Sequence, residues 1–94
     1  MGFELGQLVM TAGINNRAAD DEAFARMVVR ALNRYIRMDW GDLDPEDWKS
    51  NDLSVLNGND RILASYIVPG EQAKVWIITE WDHSVTTILF SDEY

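Results

Sequence analysis

The chain has 94 residues, 47% hydrophobic and 26% charged, the balance of one folded, soluble domain over 1–94 rather than a disordered segment. Sixteen acids against eight bases give a formal charge of −8, which argues against indiscriminate coating of nucleic acid and favours a basic partner. There is no cysteine, which excludes disulfides and thiolate metal sites and suits a reducing, cytoplasmic setting. No apolar run approaches the roughly 20 residues of a membrane span, so no membrane association is expected. The opening Met1-Gly2-Phe3-Glu4 reads as neither a secretory leader nor a lipidation signal.

In chain order, Leu5, Leu8, Val9 and Met10 suit a short strand or an ordered arm on the core. Thr11-Ala12-Gly13-Ile14-Asn15-Asn16 fits either one capped helical turn or a loop. Asp20, Asp21 and Glu22 then supply a cap and first-turn negative charge for a long helix ending near Met38. Phe24, Met27, Val28, Ala31, Leu32 and Tyr35 form its apolar stripe, and Arg26, Arg30, Arg34 and Arg37 line the opposite side. A shorter helix starts at Asp44-Pro45 and stops at Asn57-Gly58, a capping aspartate with proline at the first position and a left-handed glycine exit.

The last third switches to a period of two. Ile62–Val68, Val75–Trp81 and Val85–Phe90 read as three strands of an antiparallel meander, joined by Pro69-Gly70-Glu71-Gln72 and Asp82-His83-Ser84. One face is expected to carry Leu63, Ile67, Trp76, Ile78, Ile88 and Phe90, and the other Ile62, Tyr66, Val75, Ile77, Trp81 and Leu89. Both faces are apolar. The helices can cover one, and the other calls for the N-terminal arm, the second helix or a second copy of the chain, hence an expected homodimer. The fold class is α+β: a long amphipathic helix and a shorter helix on a C-terminal three-stranded meander, with a short N-terminal strand or arm.

Four groups of residues carry possible function. Residues 38–60 hold seven acids and only Lys49 as a base. Their spacing matches no calcium-loop pattern, and capping already explains Asp44, Glu46 and Asp47. The favoured reading is a surface in which Trp40, Asp42, Asp44 and Trp81 meet a basic protein partner. The alternative is nucleic-acid binding through Arg26, Arg30, Arg34 and Arg37, on a helix that is locally basic in an acidic protein. A third reading, a small hydrolase or nuclease using Glu80, His83 and the aspartates, lacks an oxyanion motif, and turn chemistry explains Asp82 and Ser84. No phosphate loop, zinc pattern or RNA-binding aromatic signature is present, so no catalytic residue, cofactor or metal is assigned.

The segments Asp39-Trp40-Gly41-Asp42-Leu43, Arg61–Tyr66, Val75–Phe90 and Asp92-Glu93-Tyr94 resemble a family of small "plasmid-related" proteins carried on bacterial plasmids and integrative elements. The likeness runs over roughly residues 5–94, with Trp76-Ile77-Ile78-Thr79-Glu80 its most specific stretch. Trp81 and His83 stand where relatives often have alanine and arginine, and Ala12-Gly13 where Pro-Gly is common. The resemblance implies an accessory protein of a mobile element, in the bacterial cytoplasm, with no catalytic residues.

Overall fold

A computed structural model describes residues 3–58 and 60–94. Its elements are β1 (Gln7–Met10), α1 (Ala12–Asp20), α2 (Glu22–Ile36), α3 (Pro45–Asn57), β2 (Ile62–Tyr66), β3 (Val75–Thr79), β4 (Val85–Phe90) and a closing 3-10 turn, Ser91–Glu93. The class is α+β, with the C-terminal meander packed against helices as expected. The N-terminal segment does not lie across a sheet face. It adds β1 to the edge, parallel to β4, giving a four-stranded sheet in the order β1-β4-β3-β2.

The stretch after Thr11 forms a nine-residue helix rather than a loop, because the Thr11 hydroxyl accepts from the Ile14 amide at 3.3 Å and Ile14 is anchored in the core. Asp21 then separates two helices. It ends α1 and caps α2, its carboxylate accepting from the Phe24 amide at 3.1 Å. The α2 C-terminus closes with Met38 in the left-handed region (φ 66°). The Met38 amide donates to the Tyr35 carbonyl and the Asp39 amide to the Arg34 carbonyl, the paired bonds of a Schellman motif. At the start of α3, Asp44 accepts from the Asp47 amide at 2.9 Å, and Gly58 ends that helix at φ 77°.

Phe24, Val28, Ala31 and Tyr35 of α2, with Ile14, pack against Ile62, Ala64, Tyr66, Val75, Ile77 and Ile88 to form the core. The expected facing of β2 and β3 holds, but that of β4 is reversed. Ile77 pairs with Ile88 and Val75 with Phe90, so Ile88 and Phe90 point to the core and Leu89 joins Trp76 on the far side. A one-residue change in turn closure flips every side chain of the following strand, and the composition of residues 80–84 does not fix that closure. Ile67 and Trp81 lie beyond the ends of their strands and are exposed, on neither face. The far face is not bare either: Ile78 and Leu89 are 3% and 6% exposed. Tyr94 folds back against Trp76, and Arg61 holds its hydroxyl. Among the described residues, the bare sheet face that motivated the expected homodimer is therefore missing.

Two features fix how the chain is closed. A run of buried hydroxyls joins α2 to the sheet and the N-terminal arm: Tyr35 to Thr79 at 2.6 Å, Thr79 to Thr86 at 2.8 Å, and Thr86 to the Leu5 carbonyl at 2.7 Å. The outer edge of β2 is also occupied. The Asn51 carboxamide receives the Leu63 amide and donates to its carbonyl at 2.7 Å. One step along, Ser65 donates to the Trp40 carbonyl, and the Asp42 amide donates to the Ser65 carbonyl. Edge backbone that would otherwise invite another strand is thus satisfied from within.

Candidate binding groove

The residues after α2 form a strap against the β2 edge, and this decides the fate of the acidic connector. Trp40 is 0% exposed, its ring 5.4 Å from Tyr35 and 5.8 Å from Phe3, and its indole N–H donates to Asp52 at 2.9 Å. It is a core residue, which corrects the expectation of a surface anchor; a tryptophan in a loop buries its ring when a sheet edge and a helix end meet beneath it. Asp39 accepts from Arg34 at 2.8 Å and from the Gly41 amide at 3.1 Å, Asp42 pairs with Lys74, and Asp44 caps α3. Trp81 is 64% exposed but follows the end of β3, whereas Lys74 precedes its start, so Trp81 and Asp42 lie at opposite ends of the sheet. The four residues expected to share one partner surface do not come together.

Glu80 and His83 share the β3–β4 connection, where the His83 amide donates to the Glu80 carbonyl, whereas Asp42 is held by Lys74 at the other end of β3. Asp82 accepts from both the amide and the hydroxyl of Ser84, an Asx turn that holds its carboxyl below the usual range. His83 sits at the tip in the left-handed region (φ 57°), its ring 6.1 Å from Phe3. Among the described residues, no three His, Asp or Glu side chains are grouped to hold a metal ion. α3, whose first turn is acidic, exposes Leu53 and Leu56 in its later turns.

The arginine side of α2 is different. It forms one wall of a groove of about 550 Å³ whose other wall is the end of β2 and the loop after it. That volume lies in the range of ordinary ligand sites. Phe24, Ala31, Tyr66 and Val68 make a buried apolar floor, Met27 and Pro69 flank it, and Arg17, Arg30 and Arg34 stand around it.

The arginines are not equivalent. Arg26 pairs with Glu22 at 3.1 Å one turn earlier and stays outside the groove. Arg37 occupies the α2 cap and also lies outside. Arg34 is held by both Asp39 oxygens (2.8 and 3.3 Å), with its guanidinium 5.1 Å over the Tyr66 ring. This pairing raises the Arg34 pKa and lowers that of Asp39. Tyr66 donates to the Asp39 carbonyl at 2.9 Å, and burial pushes its phenol above the usual range. Arg30 points to the same groove and has no ion pair among the described residues.

Arg17, on α1, lies outside the expected stripe. It stacks 4.8 Å over Phe24, donates through Nε to Asp21 at 3.3 Å, and meets both carboxylate oxygens of Glu71 with its two Nη groups. The Arg17 guanidinium holds the Glu71 carboxyl below the ordinary range. Sequence reasoning found Arg30 and Arg34 but missed Arg17, Glu71 and Tyr66. Arg17 and Glu71 are 54 residues apart, and no local pattern signals their meeting.

Comparison with known protein families, with curated proteins and with solved structures finds no match to this chain.

Proposed function

We propose that the protein acts by binding rather than by chemistry of its own, and that its recognition surface is the α2 groove, which takes an acidic, partly apolar segment of a protein partner. The observation that carries this reading is Arg30: a cation with no counter-ion among the described residues, at the mouth of an apolar-floored groove, in a chain of net charge −8. An unmatched charge beside desolvated apolar surface favours a ligand with an apolar body and a carboxylate. The reading through the acidic connector has less support, because Trp40 is buried and Asp39, Asp42 and Asp44 are engaged within the fold. Nucleic-acid binding also has less support: Arg26 and Arg34 are paired with carboxylates, and the buried Phe24 and Tyr66 rings already carry the guanidinium groups of Arg17 and Arg34 over their faces.

The biological setting that fits the sequence resemblance is an accessory protein of a bacterial plasmid or integrative element, meeting a host or element-encoded protein in the cytoplasm. No helix among the described residues is long and apolar enough to cross a membrane.

The test is an NMR titration with a hexapeptide of alternating phenylalanine and glutamate. Amide shifts centred on Phe24, Met27, Arg30, Ala31 and Val68, and abolished by Arg30→Glu, are expected. Shifts centred on α3 or the acidic strap would overturn the reading, as would tighter, steeply salt-dependent binding of an oligonucleotide that Arg30→Ala and Arg34→Ala weaken.

A further inference from the structure

We infer that Glu71 occupies the groove's carboxylate subsite in the free protein, and that the partner's carboxylate displaces it from Arg17. This rests on the groove reading above and specifies its ligand: a segment with two acidic side chains flanking an apolar one.

Arg17 is prepared as a receptor independently of Glu71. Its Nε is held by Asp21 at 3.3 Å and its plane is fixed over Phe24 at 4.8 Å, both contacts lying within α1, α2 and their junction. The two Nη groups are left to face the groove, and there they meet Glu71 oxygen for oxygen, Nη1 to Oε1 at 3.2 Å and Nη2 to Oε2. A guanidinium fork matched to a planar carboxylate is how arginine recognises a carboxylate ligand.

Glu71 is held far more lightly. Among the described residues its side chain bonds only Arg17, and it sits on a turn in which its own amide donates to the Val68 carbonyl and Gly70 adopts φ 80°. Both partners are about one-third exposed (35% and 32%), so solvent and a competing anion reach the pair. Displacement exchanges one carboxylate for another on Arg17 and returns Glu71 to water. The apolar body then covers Phe24, Ala31 and Val68, and a second carboxylate reaches Arg30.

A tethered competitor lowers the apparent affinity by the fraction of time it vacates the subsite. Removing its charge therefore tightens binding of the same fluorescein-labelled Phe/Glu hexapeptide. Glu71→Gln is expected to lower its Kd by about fivefold, the scale of an exposed bidentate pair. Adding Arg17→Ala to Glu71→Gln is expected to cancel the gain. In the wild type, the amides of Gly70, Glu71 and Gln72 are expected to shift on binding together with the groove floor.

If wild type and Glu71→Gln bind equally while the floor amides shift, the displacement is refuted and the groove reading stands. If neither protein, each confirmed folded by circular dichroism, shows floor shifts, both fall. A tighter Glu71→Gln complex that survives Arg17→Ala also refutes the displacement, since the gain would then not act through Arg17.

Discussion

The run of buried hydroxyls from Tyr35 to Leu5 has only one possible direction, which makes it testable by substitution. A hydroxyl donates one proton. Thr86 gives its own to the Leu5 carbonyl, so Thr79 must donate to Thr86 and Tyr35 to Thr79. Tyr35→Phe removes only the first donor and leaves one lone pair of Thr79 unmet, a cost of about 1 kcal/mol. Thr86→Val, nearly isosteric, leaves the Thr79 hydroxyl without an acceptor and the Leu5 carbonyl without a donor. Two unmet groups at sites where Thr79 and Thr86 are fully buried cost roughly 2–4 kcal/mol. For a domain of this size, about 1 kcal/mol corresponds to a fall in Tm of about 4–8 °C, so the two variants separate clearly. Urea unfolding followed by the fluorescence of Trp40, 5.4 Å from Tyr35, measures both. Equal losses for the two variants, or a neutral Thr86→Val, would refute the direction assigned to the run.

Other substitutions test the edge and the strap. Asn51→Ala, which strips the Leu63 amide and carbonyl of their shared partner, is expected to cost about 1–3 kcal/mol in urea unfolding. The freed β2 edge should then promote self-association visible by sedimentation. Gly41 and Gly58 share φ 77°, but a Cβ at Gly41 would lie 2.1 Å from the Ser65 carbonyl oxygen, whereas one at Gly58 meets nothing within 4 Å. Gly58→Ala is therefore expected to lose about 1–2 kcal/mol of stability and Gly41→Ala clearly more, compared by the same unfolding curves. Stability should also fall at both ends of the pH scale. Burial raises the Tyr35 and Tyr66 phenols, so their contribution is intact below about pH 10 and is lost as pH climbs toward their folded values. Asp21, Asp39 and Glu71 are held low, so theirs is present above about pH 4 and is lost as pH falls. Urea midpoints against pH check both limbs, and Tyr35→Phe should soften the alkaline one.

Local rules carried the helices and the strands. Asp21, Asp44 and Asn57-Gly58 mark their boundaries by capping chemistry, and the stripe from Phe24 to Tyr35 is the buried face of α2. The first helix was ambiguous because Gly13, Asn15 and Asn16 are poor helix formers; its cap, the buried Ile14 and the long-range contacts of Arg17 hold it. What stayed hidden was long-range. The facing of β4 depends on closure of the turn at 80–84. The parallel seat of β1 depends on β4, far away in sequence. The burial of Trp40 depends on the strap finding the β2 edge. The groove was half legible: periodicity placed Arg30 and Arg34 on one side of α2, but no rule of spacing connects Arg17 with Glu71 or puts Tyr66 beneath Arg34.

The parallel seat of β1 also bears on how the molecule comes together during synthesis. Among the described residues β1 has β4 as its only sheet neighbour, and the bond from Thr86 to Leu5 spans 81 residues. Helices can form early, and the β2–β3 hairpin soon after, but β1 has no strand to pair with until β4 has emerged. Sheet completion is then a single late closure with a large loop entropy. Deleting β4 would therefore leave β1 without a partner and the β3 flank unpaired and open to aggregation.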